Sequence, residues 1–194
     1  MSFRFCDEDE SWFGWVAEGR VTRTSHALAV EGGVWLVDAV AWAEAEDRAR
    51  SLGTPAGVIQ LLDRHNRDCA EVAARLGVPH YRVPDRVDAP FELVRVVNLR
   101  VWRELALWWP ERRVLVTADA LGTTGYFTFG AERIGLHPLL RLFPPRALAR
   151  LDPEVVLVGH GDGIRDASDA FREALTAPTR RVLRLPKRLR GKGG

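Results

Sequence analysis

The seven residues Asp63 to Cys69 in "LLDRHNRDCAEVAARLG" hold two carboxylates, an imidazole and a thiol. These are the groups that ligate transition metals or exchange protons near neutral pH. Arg64, Asn66 and Arg67 lie among them, and a guanidinium has no lone pair to give a cation. Downstream, Asp119 follows the apolar run of "RRVLVTADAL" and His160 that of "EVVLVGHGDG", while Asp38 closes a third in "GGVWLVDAV". Polar residues at the ends of buried strands gather at one edge of a layered α/β domain, where ligands bind.

The elements that must position these residues are readable from periodicity. The runs 26–31 and 34–39, split by Gly32-Gly33, predict a β-hairpin. "AWAEAEDRARSLG" changes to a helical period and stops at Gly53. "GVIQLL" (57–62) reads as a buried strand, and "DCAEVAARLG" as a helix with Cys69, Val72, Ala73 and Leu76 on its apolar face. Strands are predicted at 79–83, 91–97, 103–110, 112–121 and 154–163, helical turns around Pro144-Pro145, and a closing helix at 167–175. Hairpins followed by β-α alternation give an α/β (α+β) class with helices covering sheet faces.

The chain has 194 residues, 46% of them hydrophobic and 28% charged, with a formal net charge of +2. Such a length suits one domain, read as 1–178, and the small net charge argues against a polyanion partner for the whole molecule. No run approaches the roughly 18–20 apolar residues of a membrane span, and "MSFRFCDEDES" is acidic where a targeting segment is basic. We therefore expect a cytoplasmic protein with no membrane partner and with Cys6 and Cys69 reduced. Residues 179–194 form a basic tail with seven lysines and arginines and no acid, which could touch nucleic acid or an anionic surface. No aromatic residue interleaves those charges, so a solvated terminus is the simpler reading. Exposed members of the seven tryptophans could join copies into a homo-oligomer, or line a pocket for a small-molecule ligand.

Taken in order, "LVDAV", "GVIQLLDRHNRDCAEVA", "RRVLVTADAL" and "EVVLVGHGDG" resemble the metallo-β-lactamase fold superfamily over about residues 20–175. The resemblance implies a four-layer αββα sandwich with one or two metal ions activating water at the sheet edge. In that family the second piece reads H-x-H-x-D-H. The register set by the following helix puts Arg64 and Asn66 on the first two histidines, Asp68 on the aspartate and Cys69 on the last histidine. A separate family histidine falls near Asn98 to Arg100, Asp119 on the aspartate that bridges the metals, and His160 on the final ligand. The first metal site is thus lost. The second would be Asp68, Cys69, Asp119 and His160, holding a single zinc, iron or manganese if any metal is bound. A register one residue over puts Asp63 and His65 on the two histidines, Arg67 on the aspartate and Asp68 on the last histidine; the helix favours the first.

Three readings remain open. One metal at the second site serves hydrolysis of an ester, thioester, amide or phosphodiester, with Asp68, Asp119 and His160 catalytic. Alternatively, the metal is absent and Arg64 neutralises Asp68 and Asp119 in its place. In the third, Asp68 is a helix cap with Glu71 completing a capping box. On the first two readings Arg64, Arg100 and His137 contact the ligand, and the resemblance puts Asp38 behind the metal ligands.

Overall fold

The computed structural model describes residues 2–65 and 67–176. The reading of Asn66 as a lost ligand and the basic tail 179–194 lie outside the described residues.

Two sheets face each other across an apolar core. The first is ordered β1 to β6: Ser2–Cys6, Trp12–Glu18, Arg23–Val30, Gly33–Val37, Pro55–Gln60 and His80–Arg82. Its first four strands run antiparallel, and β4, β5 and β6 run parallel. The parallel pairs need crossovers, which are α1 (Ala43–Leu52) and α2 (Cys69–Leu76). The glycine-turn hairpin is β3–β4, closing on the pair Val30 and Gly33. β1 is an addition: "SFRFC" alternates exposure and carries no periodic signal long enough to announce a strand.

The second sheet is built from β7 (Glu92–Leu99), β8 (Trp102–Trp109), β9 (Val114–Thr117), β12 (Val155–Val158) and β13 (Ile164–Arg165), in the order β13-β12-β9-β8-β7. A two-residue pair, β10 (Leu121–Gly122) and β11 (Gly135–Leu136), follows β9. Strand β9 is shorter than the apolar run 112–121 predicts, because the chain leaves the sheet before Asp119. The run "GLHPLLRLFPPRALARL" forms two short 3-10 turns, Pro138–Arg141 and Leu148–Arg150.

Alternation along the strands explains the layering. Leu28, Val37, Ile59, Leu105, Leu107, Val116 and Leu157 meet between the sheets. Each such aliphatic side chain contributes about 1.5–3 kcal/mol on burial, so this core holds the sheets face to face. The opposite faces bury Val34, Leu36 and Val58 under Ala45, Ala49, Cys69 and Val72 of α1 and α2, and Leu115, Val156 and Val158 under Phe171 and Leu175 of α3 (Ser168–Thr176). The result is the expected four-layer αββα sandwich.

The sheets are also stitched at one edge. Asp63 and Leu105 amides donate to the Arg103 and Leu61 carbonyls, and the Thr24 amide to that of Gly159. At that edge the parallel strands β4, β5, β9 and β12 all end.

Six of the seven tryptophans, Trp12, Trp15, Trp35, Trp102, Trp108 and Trp109, are buried, and Trp42 is half-buried against Phe3 and Phe5. The expectation of an interface built from exposed tryptophans is corrected: they pack within the chain.

Candidate metal centre

Strand β4 hands over to Asp38, whose φ of 48° lies in the left-handed region. A non-glycine residue there costs about 1–3 kcal/mol, offset here by a dense set of bonds. The Asp38 amide donates to the Ile59 carbonyl, its Oδ1 accepts the Leu61 amide at 3.0 Å, and its carbonyl accepts Ser25 Oγ at 2.8 Å. The carboxylate thereby fixes where β5 ends. It is buried, yet the neighbouring His65 and Arg67 charges outweigh that burial and keep it ionised below the usual carboxylate range.

Beyond β5 the chain turns, and the side chain of His65 comes inward. His65 Nε2 donates to Asp119 Oδ1 at 2.8 Å, and His160 Nε2 lies 3.0 Å from the same oxygen. Together His65, Asp119 and His160 offer three ligand atoms within 4.8 Å of one another. On the far side of one ring, His65 Nδ1 stands 3.4 Å from Asp38 Oδ2, an ion-pair distance. On the far side of the other, His160 Nδ1 donates to the Thr22 carbonyl at 2.6 Å. Both rings are thus oriented with Nε2 toward Asp119, as metal-binding histidines are held.

Electrostatics follow this geometry. Burial opposes ionisation of Asp119, but His160 and His65 outweigh it and hold the carboxyl well below its ordinary range. Burial and the Arg67 charge oppose protonation of His65; Asp38 and Asp119 outweigh both, and its pKa is raised.

The glycines around His160 have steric causes. A Cβ on Gly159 would stand 2.7 Å from the Ala118 carbonyl oxygen. On Gly161, where φ is 101°, it would stand 2.2 Å from Thr123 Oγ1. The loop is braced by the chain's first residues: Arg4 holds Asp162 through both guanidinium NH2 groups, and Asp7 Oδ1 accepts the Gly163 amide at 2.9 Å. Asp7 Oδ2 in turn faces His26 Nε2 at 3.3 Å and the Cys6 thiol at 3.4 Å.

The expected site residues divide clearly. Asp119 and His160 come together as expected, and Asp38 stands behind a ligand-forming ring. Asp68 and Cys69 do not join them. Asp68 Oδ2 accepts the Ala41 amide at 2.9 Å, and Glu71 pairs with Arg75, so neither the ligand role nor the capping box forms. Cys69 points into the core between α2 and the first sheet, its thiol against the Ala39 carbonyl at 3.7 Å, and burial pushes that thiol up to about 12. A thiol so placed stays protonated and lies outside the group formed by His65, Asp119 and His160. Arg100 lies in the exposed turn between β7 and β8 and does not line the cavity described below.

Arg64 stacks on Trp102 with its guanidinium carbon 4.2 Å from a ring centroid, and reaches Asp119 Oδ2 at 3.4 Å but not Asp68. Arg67, set aside in the favoured register, is a structural hub. It donates to the carbonyls of Thr24 (2.5 Å), Asp38 (3.2 Å) and Gly159 (2.9 Å), tying together the ends of β4 and β12 and the start of β3.

Sequence reasoning missed His65 as a site residue. The one-residue slip would have found it, with the further signal that it is the sole imidazole between β5 and α2. Glu104 was missed entirely. It is fully buried, accepts the Ala120 amide at 2.7 Å and Trp102 Nε1 at 2.8 Å, and so fixes the turn that carries Asp119. Burial and the Asp119 charge push it up to about 7.

A cavity of about 710 Å³ opens over the cluster. Its walls come from the β2–β3 turn, Arg20 to Arg23, and from Thr124, Tyr126, Phe127 and His137. Phe127 stacks on His160 at 5.7 Å between centroids. His137 Nδ1 accepts the Leu139 amide at 3.3 Å, so its Nε2 carries the proton and donates to the Tyr126 hydroxyl at 3.2 Å.

No protein-family model and no curated protein matches the chain. Solved structures do. The DIM-1 metallo-β-lactamase matches with a TM-score of 0.61 at 13% identity, over 90% of this chain and 97% of that one. A metallo-β-lactamase from Pontibacter korlensis matches at 0.59 and 10%, over 91% and 100%. A peroxy diiron species of the chemotaxis sensor ODP matches at 0.57 and 14%, over 93% and 99%. The order of strands, the two facing sheets with helices outside them, and these structural matches agree: the chain has the metallo-β-lactamase fold.

Proposed function

We propose that this chain is a metallo-β-lactamase-fold protein whose dinuclear centre is reduced to one site, held by His65, Asp119 and His160, and that it is a mononuclear metal-dependent hydrolase. The observation that carries this reading is the convergence of two imidazole Nε2 atoms on one carboxylate oxygen, with the Thr22 carbonyl hydrogen-bonded behind the His160 ring and the Asp38 carboxylate at ion-pair distance behind that of His65. The donor chemistry fits zinc, iron or manganese. Among the described residues no second group of ligands exists, so one ion is the complement this site can take.

A divalent ion bound there supplies a Lewis acid and lowers the pKa of a bound water toward neutrality. The chain's own residues do the rest. Asp38 keeps the His65 ring oriented, and Glu104 and Arg64 hold Asp119 in place. Tyr126, its oxygen already accepting from His137, has its hydroxyl proton free to stabilise an oxyanion or a leaving group in the cavity. Phe127 and Tyr126 give the cavity an apolar wall.

The reading is tested on chromogenic esters, thioesters, amides and phosphodiesters, assayed with the metal-loaded protein. Turnover of at least one class should vanish with chelator and with Asp119→Ala. No metal-dependent turnover on any of the four would contradict the hydrolase reading.

A second reading rests on Arg64. Its guanidinium already lies 3.4 Å from Asp119 Oδ2, so in a metal-free binding protein it would supply part of the charge a metal otherwise brings.

A further inference from the structure

The chemistry of the cavity wall narrows what can enter. Arg20, Arg23 and Arg67 line it, and Asp119 is the sole acid among the described lining residues. Asp119 is already shared by two histidines and Arg64. Arg67 spends its hydrogen bonds on three carbonyls, and its charge is set against the buried Asp38 carboxylate. Arg20 is exposed at the rim, with no ion-pair partner among the described residues. Like charges gathered in a concave, partly apolar site focus a positive potential that an incoming anion relieves.

The other wall differs. Tyr126 and Phe127 meet edge to face at 5.1 Å, and Val21 at the tip of the β2–β3 turn is largely exposed beside Arg20. A solvated inorganic anion alone would leave this surface unused.

We infer that the ligand of this cavity is an amphiphilic organic anion, whose carboxylate or phosphate is met by Arg20 and whose apolar or aromatic part lies on Tyr126 and Phe127. The inference rests on the proposed site for where the scissile bond sits, not for the binding itself. Arg20 is then the specificity residue, on a turn whose next residue but one, Thr22, accepts from His160. Anion recognition is thus one short turn from the ligand cluster.

The test uses chelator-treated, full-length protein and calorimetric titration with phenyl phosphate, phenylacetate, the neutral phenylacetamide and inorganic phosphate. At least one of the two aromatic anions should bind about ten-fold or more tighter than phenylacetamide and than inorganic phosphate, and more weakly as salt rises. Which of the two binds tighter identifies the anionic group. Arg20→Gln should weaken the aromatic anion by about five-fold or more, and Tyr126→Ala should weaken it by more than it weakens inorganic phosphate. Arg50→Gln, a surface control remote from the cavity, should change neither. Equal binding of the amide and the anions, or an unchanged affinity in Arg20→Gln, would overturn the inference. Metal uptake is read separately, after the chelator is removed and the protein is reloaded and desalted. A protein that selects anions but takes up no metal sinks the hydrolase reading and keeps this one; a metal-loaded hydrolase indifferent to ligand charge does the reverse.

Discussion

Asp38 Oδ2 lies 3.4 Å from Nδ1 of His65, while Asp38 Oδ1 accepts the amide of Leu61 four residues earlier in the same segment. One carboxylate therefore ends strand β5 and orients the imidazole that follows it. Asp38→Asn should keep the fold but lower metal affinity about 10–100-fold, the range for losing such a supporting partner. Competition against a chromogenic chelator measures this; an unchanged affinity would show that Asp38 serves the backbone alone.

Cys69 gives the opposite expectation. Its thiol is part of the helix-to-sheet core, so Cys69→Ala should cost about 1–2 kcal/mol by leaving a small cavity. Metal stoichiometry should stay at the wild-type value. Loss of metal in a folded Cys69→Ala protein, judged by circular dichroism and elemental analysis, would restore the ligand set read from the helix register.

Glu104 sets a pH dependence. Its folded pKa of about 7 lies above the ordinary value of 4.5, so between these limits the folded protein holds a proton that the unfolded chain releases. Stability must fall as pH rises through that window, by up to about 3 kcal/mol once both states are ionised. In Glu104→Gln that loss is absent, though one of the two donors is left unmet at every pH. Urea denaturation of metal-free protein from pH 5 to 8 should show wild type losing stability relative to the variant. A difference that does not vary with pH would rule out a strongly raised Glu104.

The brace at the chain's start should matter for the site. Asp7→Ala removes the acceptor of the Gly163 amide and the partner of buried His26, at a cost of about 1–3 kcal/mol. Because the same loop carries His160, metal affinity should fall as well. Thermal melts with chelator competition read both; a lower melting temperature with full metal affinity would make Asp7 purely structural.

How much of this was legible depends on which interactions decide each element. The hairpin at Gly32-Gly33, helix α2 and strand β12 follow from local periodicity, and so did Asp119 and His160 at strand ends. The error lay in counting back from α2 to the site. The helix phases Asp68 and Cys69 against the first sheet, but the stretch 61–65 is phased by distant partners: Asp38 on the Leu61 amide, and the pairing of Leu62 with Glu104 of β8. A helix register does not carry across a turn held from elsewhere, so His65 was displaced by one position. Glu104 was hidden for a related reason: in "RELALWWP" a glutamate within an apolar strand gives no hint that both its oxygens are satisfied from the Asp119 turn and Trp102.

The central claim is that His65, Asp119 and His160 hold one metal ion. Elemental analysis of the untagged protein, purified without chelators and then loaded and desalted, tests it most directly. The account predicts about one zinc, iron or manganese per chain, lost on His65→Ala in a protein that remains folded. A ratio near zero in the wild type, or full occupancy in His65→Ala, would contradict it.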